Sequence, residues 1–353
     1  MLLCLILILI TYSFCVYLYL IVGLASSFDQ LLHKSNITAC QAYAPSTWKN
    51  LQCHWKKYLD FCNLYSLTPL PVSTFSIVPF LQEYSDTVSS YSTVSNVYSS
   101  IKTMSKMYGH GVPDNVLYVA NMFMLGLKRQ MGTFVNQKLP VTPHILLQLY
   151  TCVDFTNSLH VCVWSAMLFM FFTFFRKSNV MPMSVSTFDS SKQVTRECIS
   201  VCKDFILVSV TWSKTIQHSQ KQLLVPVSVV QGSVLCPVTA YLQLLDIVPG
   251  STGPAFSYFK GHTRVPLTYN VFTKMFRLWL QNIGISHPNL YSPHSFRRGG
   301  ATWAFQAGVS PTLIKLHGDW QSDCYLQYVK LSVENKMLTT AAMARSIQYL
   351  DTQ

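Results

Sequence analysis

The stretch YSPHSFRRGGATWAFQAGVSPTLIKLHGDWQSDCYLQYVK, from Tyr291 to Lys330, concentrates polar chemistry in a chain that is otherwise poor in charge. Only 11% of all residues are Asp, Glu, Lys or Arg. A packed domain keeps cations such as Arg297 and Arg298 beside apolar Phe296 and Trp303 only when they meet an anion or reach solvent. An anion is the more informative of these two possibilities.

Several side chains in this stretch are spaced to lie together. His294 and Arg297 are three residues apart at the start of a predicted helix, so they share a face near backbone N–H groups that attract anions. The pair Gly299-Gly300 predicts a close approach of two backbones, because glycine has no side chain. Tyr325 and Tyr328 are also three apart and would share a face.

Two cations far upstream could complete such a site. For Arg176, which follows the most apolar predicted helix after residue 45, a cap beside the C-terminal dipole is the plainer interpretation. For Lys214, which lies in a polar turn, the plainer interpretation is an exposed surface lysine. Together with His294, Arg297 and a tyrosine, however, these residues are what metal-free phosphodiester exchange needs.

In that chemistry each residue type has a role. Arginines stabilise the charge of the transition state, a lysine or histidine moves protons, and a tyrosine forms a covalent phosphoenzyme. The sequence contains no Walker loop, no carboxylate cluster for paired metal ions and no GxSxG motif. We therefore expect no cofactor and no metal ion.

Composition predicts two domains and a polyanionic partner. The 353 residues are 50% apolar, which supplies ample core. The net charge is +12, of which residues 138–353 contribute +9, and this favours nucleic acid or an anionic membrane surface. The eleven cysteines include no CxxC pair and no zinc-ligand spacing. Those inside apolar periodic segments are predicted to be buried free thiols: Cys53, Cys62, Cys152, Cys162, Cys198 and Cys202.

Residues 1–27 form a separate hydrophobic leader. The first 24 residues, MLLCLILILITYSFCVYLYLIVGL, carry no charge and are long enough to span a bilayer as a helix. They lack the basic region and the short apolar core of a signal peptide. A membrane anchor, an uncleaved leader and a segment joined to a soluble protein by a wrong gene model all stay open.

Residues 46–131 form a predicted all-α domain, after a polar linker at 27–45. Apolar side chains recur at helical spacing in four segments, and Gly132–Lys138 is the predicted linker to the next domain. Basic residues on the polar faces are either ordinary solvated surface or contacts with a phosphate backbone. These candidate DNA-binding residues are Lys56, Lys57, Lys102, Lys106, Lys128 and Arg129.

Residues 139–353 form a second predicted domain, mainly α with a small antiparallel β-sheet. Residues 158–175 are apolar on nearly every face, and their length and polar interruptions favour a buried core helix over a membrane span. Three β-rich segments follow, with a polar turn at 213–222, which predicts a three-stranded antiparallel sheet. Helical patterns return downstream and in the tail, at about 334–350.

The chain resembles the tyrosine recombinases, the phage-integrase or Cre-like family, and specifically the eukaryotic mobile-element branch of DIRS- or Crypton-type elements. Four segments carry the resemblance in the family's order: FFRKSNV, TWSKTIQ, PHSFRRGGATWAFQAGVS and HGDWQSDCYLQYV. It implies an all-α core-binding domain at 46–131 and an α+β catalytic domain at 139–353, which together clamp DNA. The block at 291–329 is the specific part.

The resemblance assigns catalytic roles residue by residue. Arg176 matches the family's first arginine, and Lys214 matches its hairpin lysine. His294 and Arg297 match its H-x-x-R box. Trp320 stands where histidine is commoner, and its indole N–H can also donate to a phosphate oxygen.

Tyr328 is the nucleophile that the resemblance implies. Its interval from Trp320 is one residue shorter than usual, so Tyr325 stays as the alternative nucleophile. Arg298 joins the candidate DNA-binding residues. Asn179 is a departure, because the family usually carries an acidic residue three positions after the first arginine.

The resemblance implies a site-specific DNA recombinase or integrase that works through a 3′-phosphotyrosyl intermediate. We expect double-stranded DNA as the partner, a homo-tetramer on DNA, and a nuclear protein that serves DNA integration of a mobile element. Three alternatives stay open: a topoisomerase-like nicking and religating enzyme, a domesticated DNA-binding protein without activity, and a membrane protein anchored by its leader.

Overall fold

A computed structural model describes residues 27–132, 137–212 and 222–327, with four further residues of the tail. The chain divides into two compact units, Met1–Asn136 and Gln137–Gln353, and their boundary lies inside the predicted linker. The predicted leader, the candidate residues Lys214 and Tyr328, and most of the predicted tail helix lie outside the described residues. None of the described helices is long and apolar enough to cross a membrane.

The first unit is helical throughout its described part. Four of its helices bury an apolar face in one core, to which Trp55, Tyr58 and Ile101 contribute. Helix α3 begins after Ser73, whose hydroxyl caps it reciprocally with Ser76. The helices are α1 (Ser27–Cys40), α2 (Pro45–Leu64), α3 (Thr74–Asp86), α4 (Tyr91–Met107) and α5 (Asp114–Met131).

Helix α1 differs from the predicted linker at 27–45. Its apolar side chains Phe28 and Leu31 are 68% and 63% exposed. Because the helix buries no apolar face, its sequence lacks the periodic pattern on which the prediction of helices depends.

The core of the second unit is α7 (Ser158–Thr173). Every residue from Val161 to Phe171 is buried, which confirms the predicted core helix. It packs against three later helices that enclose it, and the aromatic side chains of Phe169 and Phe256 meet edge to face at 4.9 Å. These helices are α9 (Pro237–Ile247), α10 (Tyr269–Asn282) and α11 (His294–Gln306); the shorter ones are α6 (Pro143–Tyr150), α8 (Lys177–Val180) and α12 (Pro311–His317).

The predicted three-stranded antiparallel sheet is present, with strand order β1-β2-β3. Alternate residues of β2 are buried, as expected where one face of a strand covers the core. A second antiparallel hairpin was not predicted, because each of its strands has only four residues. The strands are β1 (Ile199–Val201), β2 (Phe205–Val210), β3 (Leu223–Ser228), β4 (Ser257–Lys260) and β5 (Thr263–Pro266).

The described cysteines that were predicted to be buried are free thiols. Cys62 and Cys162 are buried as predicted. The prediction was wrong for Cys53, which is exposed on the outer face of α2. The other three are half-buried: Cys152, Cys198 and Cys202.

The pair Gly299-Gly300 brings α11 against its neighbours. A side chain on Gly299 would overlap the carbonyl of Val141, and one on Gly300 would overlap the carbonyl of Phe171 in α7. The amide of Val141 also donates to the carbonyl of Ser295 at 3.0 Å. The close backbone approach predicted for the glycine pair is confirmed.

We expect Gly300→Ala to lower the free energy of unfolding of the second unit by about 2–3 kcal/mol, because the added methyl group must displace α11 from α7. Alanine ordinarily favours a helix over glycine by about 1 kcal/mol, so the sign of the effect reports the packing. Urea unfolding measures it. Gly126→Ala in α5 is the matched control, since an added Cβ there meets nothing within 4 Å. Equal effects of the two changes would contradict the close approach.

Candidate active site

A turn at the end of α7 determines where Arg176 lies. Phe174 adopts a left-handed conformation with φ of 55° directly after the helix, so the chain turns there. The helix therefore ends at Thr173, two residues before the predicted end at Phe175. Arg176 then precedes the four-residue helix α8, and its side chain is half-buried. A left-handed residue with a bulky side chain is unfavourable and persists where the surroundings hold it.

Arg297 in α11 is 2% exposed, and backbone carbonyls hold its guanidinium. Its Nη1 donates to the carbonyl of Phe174, and its Nη2 donates to the carbonyl of Gly318 at 2.8 Å. Its guanidinium carbon lies 3.9 Å from the ring centre of Trp320, which adds a cation–π contact. Charge-assisted hydrogen bonds of this kind are stronger than neutral ones, so they fix the orientation of the side chain.

Arg176 and Arg297 line the same narrow crevice. The polar lining also includes Asn179 and Asp319, which were not among the predicted site residues. Asp319 is 7% exposed and left-handed, with φ of 51°. The sequence feature that could have identified Asp319 as a site residue is its position between Gly318 and Trp320, within the block at 291–329. The apolar walls are Phe175, Val210 and Leu223.

His294 begins α11 among cations. Partial burial of its ring is the largest cause that lowers its pKa, and the charges of Arg297, Arg176, Arg298 and Lys177 add to it, so that the pKa is about 4. His294 keeps an exposed surface, so the neighbouring charges are the cause that persists when water reaches the ring. At neutral pH the imidazole is therefore neutral and able to accept a proton.

Trp320 and Tyr325 belong to a small buried cluster with Phe174. The ring of Trp320 lies 6.1 Å from that of Phe174 and 5.9 Å from that of Tyr325. Tyr325 is 6% exposed, in the short 3-10 turn Asp323–Gln327. A side chain on Gly318 would overlap the Trp320 ring, so the glycine makes room for the indole.

The structure thus brings together Arg176, His294, Arg297 and Trp320 of the predicted catalytic residues. Arg298 is 4% exposed and donates from Nη1 to the carbonyl of Lys138 at 2.6 Å. Its side chain has a packing role there, and its contact with DNA stays a prediction.

The candidate DNA-binding residues of the first unit lie on its surface. Lys102 is half-buried, with its Nζ 4.3 Å from the ring centre of Tyr98, and Lys57 lies 4.9 Å from that of Tyr84. Their contacts with DNA stay predictions. The others are exposed: Lys56, Lys106, Lys128 and Arg129. In the part of the chain that the structure describes, no three His, Cys, Asp or Glu side chains are grouped to hold a metal ion.

Comparisons with known proteins agree with this fold. The chain is 24% identical over 280 residues to an integrase/recombinase XerD homolog of Selenomonas ruminantium, and the match covers 77% of each chain. A lambda integrase (75–356) dimer bound to a COC′ core site has a TM-score of 0.55 at 15% identity, over 88% of this chain and 100% of that one. A second lambda integrase dimer on a COC′ core site has a TM-score of 0.51 at 15% identity, over 88% and 81%.

No family model matches the chain. The solved structures show the fold of tyrosine recombinases, mostly helical with small antiparallel sheets. The sequence relative is an integrase/recombinase, so both comparisons find this chain similar to the same class of protein.

We expect acidification to destabilise the fold through His294. Its folded-state pKa of about 4 lies below the ordinary value of 6.5, so the unfolded chain takes up the proton first. Stability therefore falls as pH drops from about 6.5 towards about 4, and His294→Gln should fall less over that range. Melting temperatures of both proteins against pH measure this. If the melting temperatures of the two proteins changed with pH in parallel, the lowered pKa of His294 would be contradicted.

We expect Arg297→Lys to cost about 2–3 kcal/mol of unfolding free energy, because a lysine cannot donate in a fork to two carbonyls and leaves one buried oxygen unpaired. Arg176→Lys is the matched control in the same crevice. Since Arg176 is half-buried, it should cost less than about 1 kcal/mol. Chemical denaturation of both variants separates the two roles, and equal losses would refute the anchoring role of Arg297.

Proposed function

We propose that this protein is a site-specific DNA recombinase or integrase that cleaves and rejoins DNA without a metal ion. The observation that carries the proposal is the convergence of Arg176 and Arg297 on one crevice, beside a neutral His294. Two guanidinium groups at one site suit the non-bridging oxygens of a phosphodiester, whose charge grows in the transition state. The similarity to an integrase/recombinase and the shared fold support the same proposal.

In the cleavage step, Oη of Tyr328 attacks the scissile phosphorus, and the bond from phosphorus to the 5′-oxygen breaks. The tyrosine proton goes to His294, and the departing 5′-oxygen takes a proton from Lys214. The product is a 3′-phosphotyrosyl protein and a free 5′-hydroxyl end. Attack of a 5′-hydroxyl from a second strand reverses these transfers, rejoins the DNA and restores Tyr328. The phosphotyrosine conserves the energy of the broken bond, so no nucleotide cofactor is needed.

The position of Tyr325 supports Tyr328 as the nucleophile. Tyr325 packs in the cluster with Trp320 and Phe174, where its ring is 6% exposed. A nucleophile must reach a phosphate held in the crevice, whereas a side chain that fills a cluster stabilises the fold. We therefore assign packing to Tyr325 and attack to Tyr328.

The biological setting that we propose follows the resemblance. The protein would act on double-stranded DNA as a homo-tetramer in the nucleus, in the integration of a mobile element of the DIRS or Crypton type. The net charge of +9 carried by residues 138–353 supports a DNA partner.

The test is the capture of a covalent protein–DNA adduct. The full-length protein is incubated with a pool of random-sequence duplexes that carry a nick in one strand. Cleavage near the nick releases a short fragment with the 5′-hydroxyl end, and once this fragment dissociates the covalent adduct cannot be religated. Adducts that resist denaturant are recovered and sequenced, which also identifies the cleaved site. We expect Tyr328→Phe to abolish the adduct and to leave DNA affinity within about threefold, because only the attacking oxygen is removed.

Tyr325→Phe is the matched control and should keep the adduct, because it retains the packed ring. An adduct that survives Tyr328→Phe but not Tyr325→Phe would reverse the assignment. DNA binding without any adduct would favour the domesticated, inactive protein. Relaxation of supercoiled DNA by a monomer, without strand exchange, would favour the topoisomerase-like enzyme.

A further inference from the structure

Lys177 is a further cation beside the candidate active site. It follows Arg176 directly in the chain and is the first residue of α8. Its side chain is exposed, and it is not among the described residues that line the crevice. The family resemblance assigned Lys177 no role.

An aromatic ring holds the ammonium group of Lys177. Its Nζ lies 3.7 Å from the ring centre of Tyr269, the first residue of α10. The corresponding distances for Lys102 and Lys57 in the first unit are longer, 4.3 and 4.9 Å. A ring face attracts a cation without neutralising its charge. Tyr269 therefore restricts the side chain of Lys177 and leaves its charge available to an anion.

Backbone contacts fix the ring of Tyr269 relative to α8. The amide of Tyr269 donates to the carbonyl of Pro182 at 2.9 Å, and the amide of Met181 donates to the carbonyl of Lys177 at 2.9 Å. The side chain of Tyr269 is half-buried and packs against the core of the second unit. The lysine is therefore ordered before a ligand arrives, which lowers the entropic cost of binding.

The charge of Lys177 is directed to the site and not to a neighbouring carboxylate. Lys177 forms no salt bridge with another residue that the structure describes, whereas Lys192 pairs with Asp189 at 2.5 Å. Lys177 is also one of the four cations that lower the pKa of His294. An ordered, exposed ammonium group next to Arg176 suits a phosphate group.

We propose that Lys177, held by the ring of Tyr269, binds the DNA phosphate that neighbours the scissile phosphate on the cleaved strand. The inference rests on the proposed function, in which Arg176 and Arg297 hold the scissile phosphate in the crevice. Because Lys177 adjoins Arg176 but is not among the lining residues, the phosphate within its reach is an adjacent one.

The test measures equilibrium binding of the full-length protein to the site recovered from the adduct capture, over a range of salt concentrations. All proteins in the binding assay carry Tyr328→Phe, so that the strand stays intact. We expect Lys177→Gln to lower the slope of log affinity against log salt by about 0.9, because one phosphate contact and its released counterion are lost. At about 0.15 M salt this corresponds to an affinity about fivefold weaker.

Lys192→Gln is the matched control. It removes the same charge from another exposed lysine of the second unit, but this lysine already pairs with Asp189. Its salt slope should equal that of the protein without the change.

The role of the ring is measured in the same assay. Tyr269→Leu should weaken binding by about two- to threefold, and Tyr269→Phe, which keeps the ring, should leave binding unchanged. In a protein that carries Lys177→Gln, Tyr269→Leu should cost nothing further, because the ring acts through the lysine. An equal cost with and without the lysine would overturn the holding role of Tyr269.

DNA with a single neutral methylphosphonate identifies the phosphate that is bound. The neutral group is placed in turn at each phosphate beside the scissile one. At one position it should weaken binding about fivefold when Lys177 is present and cause no further loss with Lys177→Gln, because the two changes remove the same contact. Equal losses for both proteins at every position would overturn the contact with a neighbouring phosphate.

The outcomes separate this inference from the proposed function. Failure of the wild type to form any covalent adduct would overturn the proposed function, and this inference with it. An adduct with the wild type, together with equal salt slopes for Lys177→Gln and Lys192→Gln, would overturn the role of Lys177 alone. If Lys177→Gln shows no thermal unfolding transition, Lys177→Met is judged by the same slope.

Discussion

The buried guanidinium of Arg297 is the constraint on which the candidate active site of the second unit depends. It donates to the carbonyls of Phe174 and Gly318, and each of these lies at a left-handed turn, one at Phe174 itself and one at Asp319. A charge inside a protein is tolerated only when its donors are satisfied. The arginine therefore helps to hold both turns, through the carbonyl of left-handed Phe174 and the carbonyl of Gly318, which precedes left-handed Asp319.

The same arrangement places several cations near His294. Arg297, Arg176, Arg298 and Lys177 all act on His294 and, after the desolvation of its ring, lower its pKa. A phosphodiester bound among these cations would offset their charge and raise the proton affinity of the imidazole. In the proposed cleavage step, binding of DNA would therefore make His294 a better base for the tyrosine proton.

Sequence reasoning succeeded where a pattern is long and failed where tertiary contacts decide. The continuous apolar run of α7 and the alternation in β2 predicted a core helix and a three-stranded sheet. The end of α7 was placed two residues late, because the turn at Phe174 is set by Arg297, which lies 123 residues away in the chain. Helix α1 and the second hairpin lack a buried periodic face or sufficient length, so no local signal marked them.

Two adjacent arginines in α11 show that local sequence also fails to predict which side chain lies in the site. Arg297 and Arg298 stand side by side in the sequence, and composition treats them alike. In the structure both are buried, but they meet carbonyls on different segments, Gly318 for the first and Lys138 for the second. Which arginine serves the crevice depends on the direction in which each leaves α11, about 100° apart around the helix. Only the family resemblance separated them beforehand.

One departure of this chain from the family pattern, Trp320, is explained by packing. Trp320 covers the guanidinium of Arg297 with its ring, and this requires a residue without a side chain at Gly318. The carbonyl of that glycine is in turn one of the two that hold Arg297. A smaller ring at position 320 would leave a void beside the arginine, so tryptophan and glycine constrain each other. Trp320 and Gly318 thus act together to fix the guanidinium of Arg297, and neither position can be understood without the other.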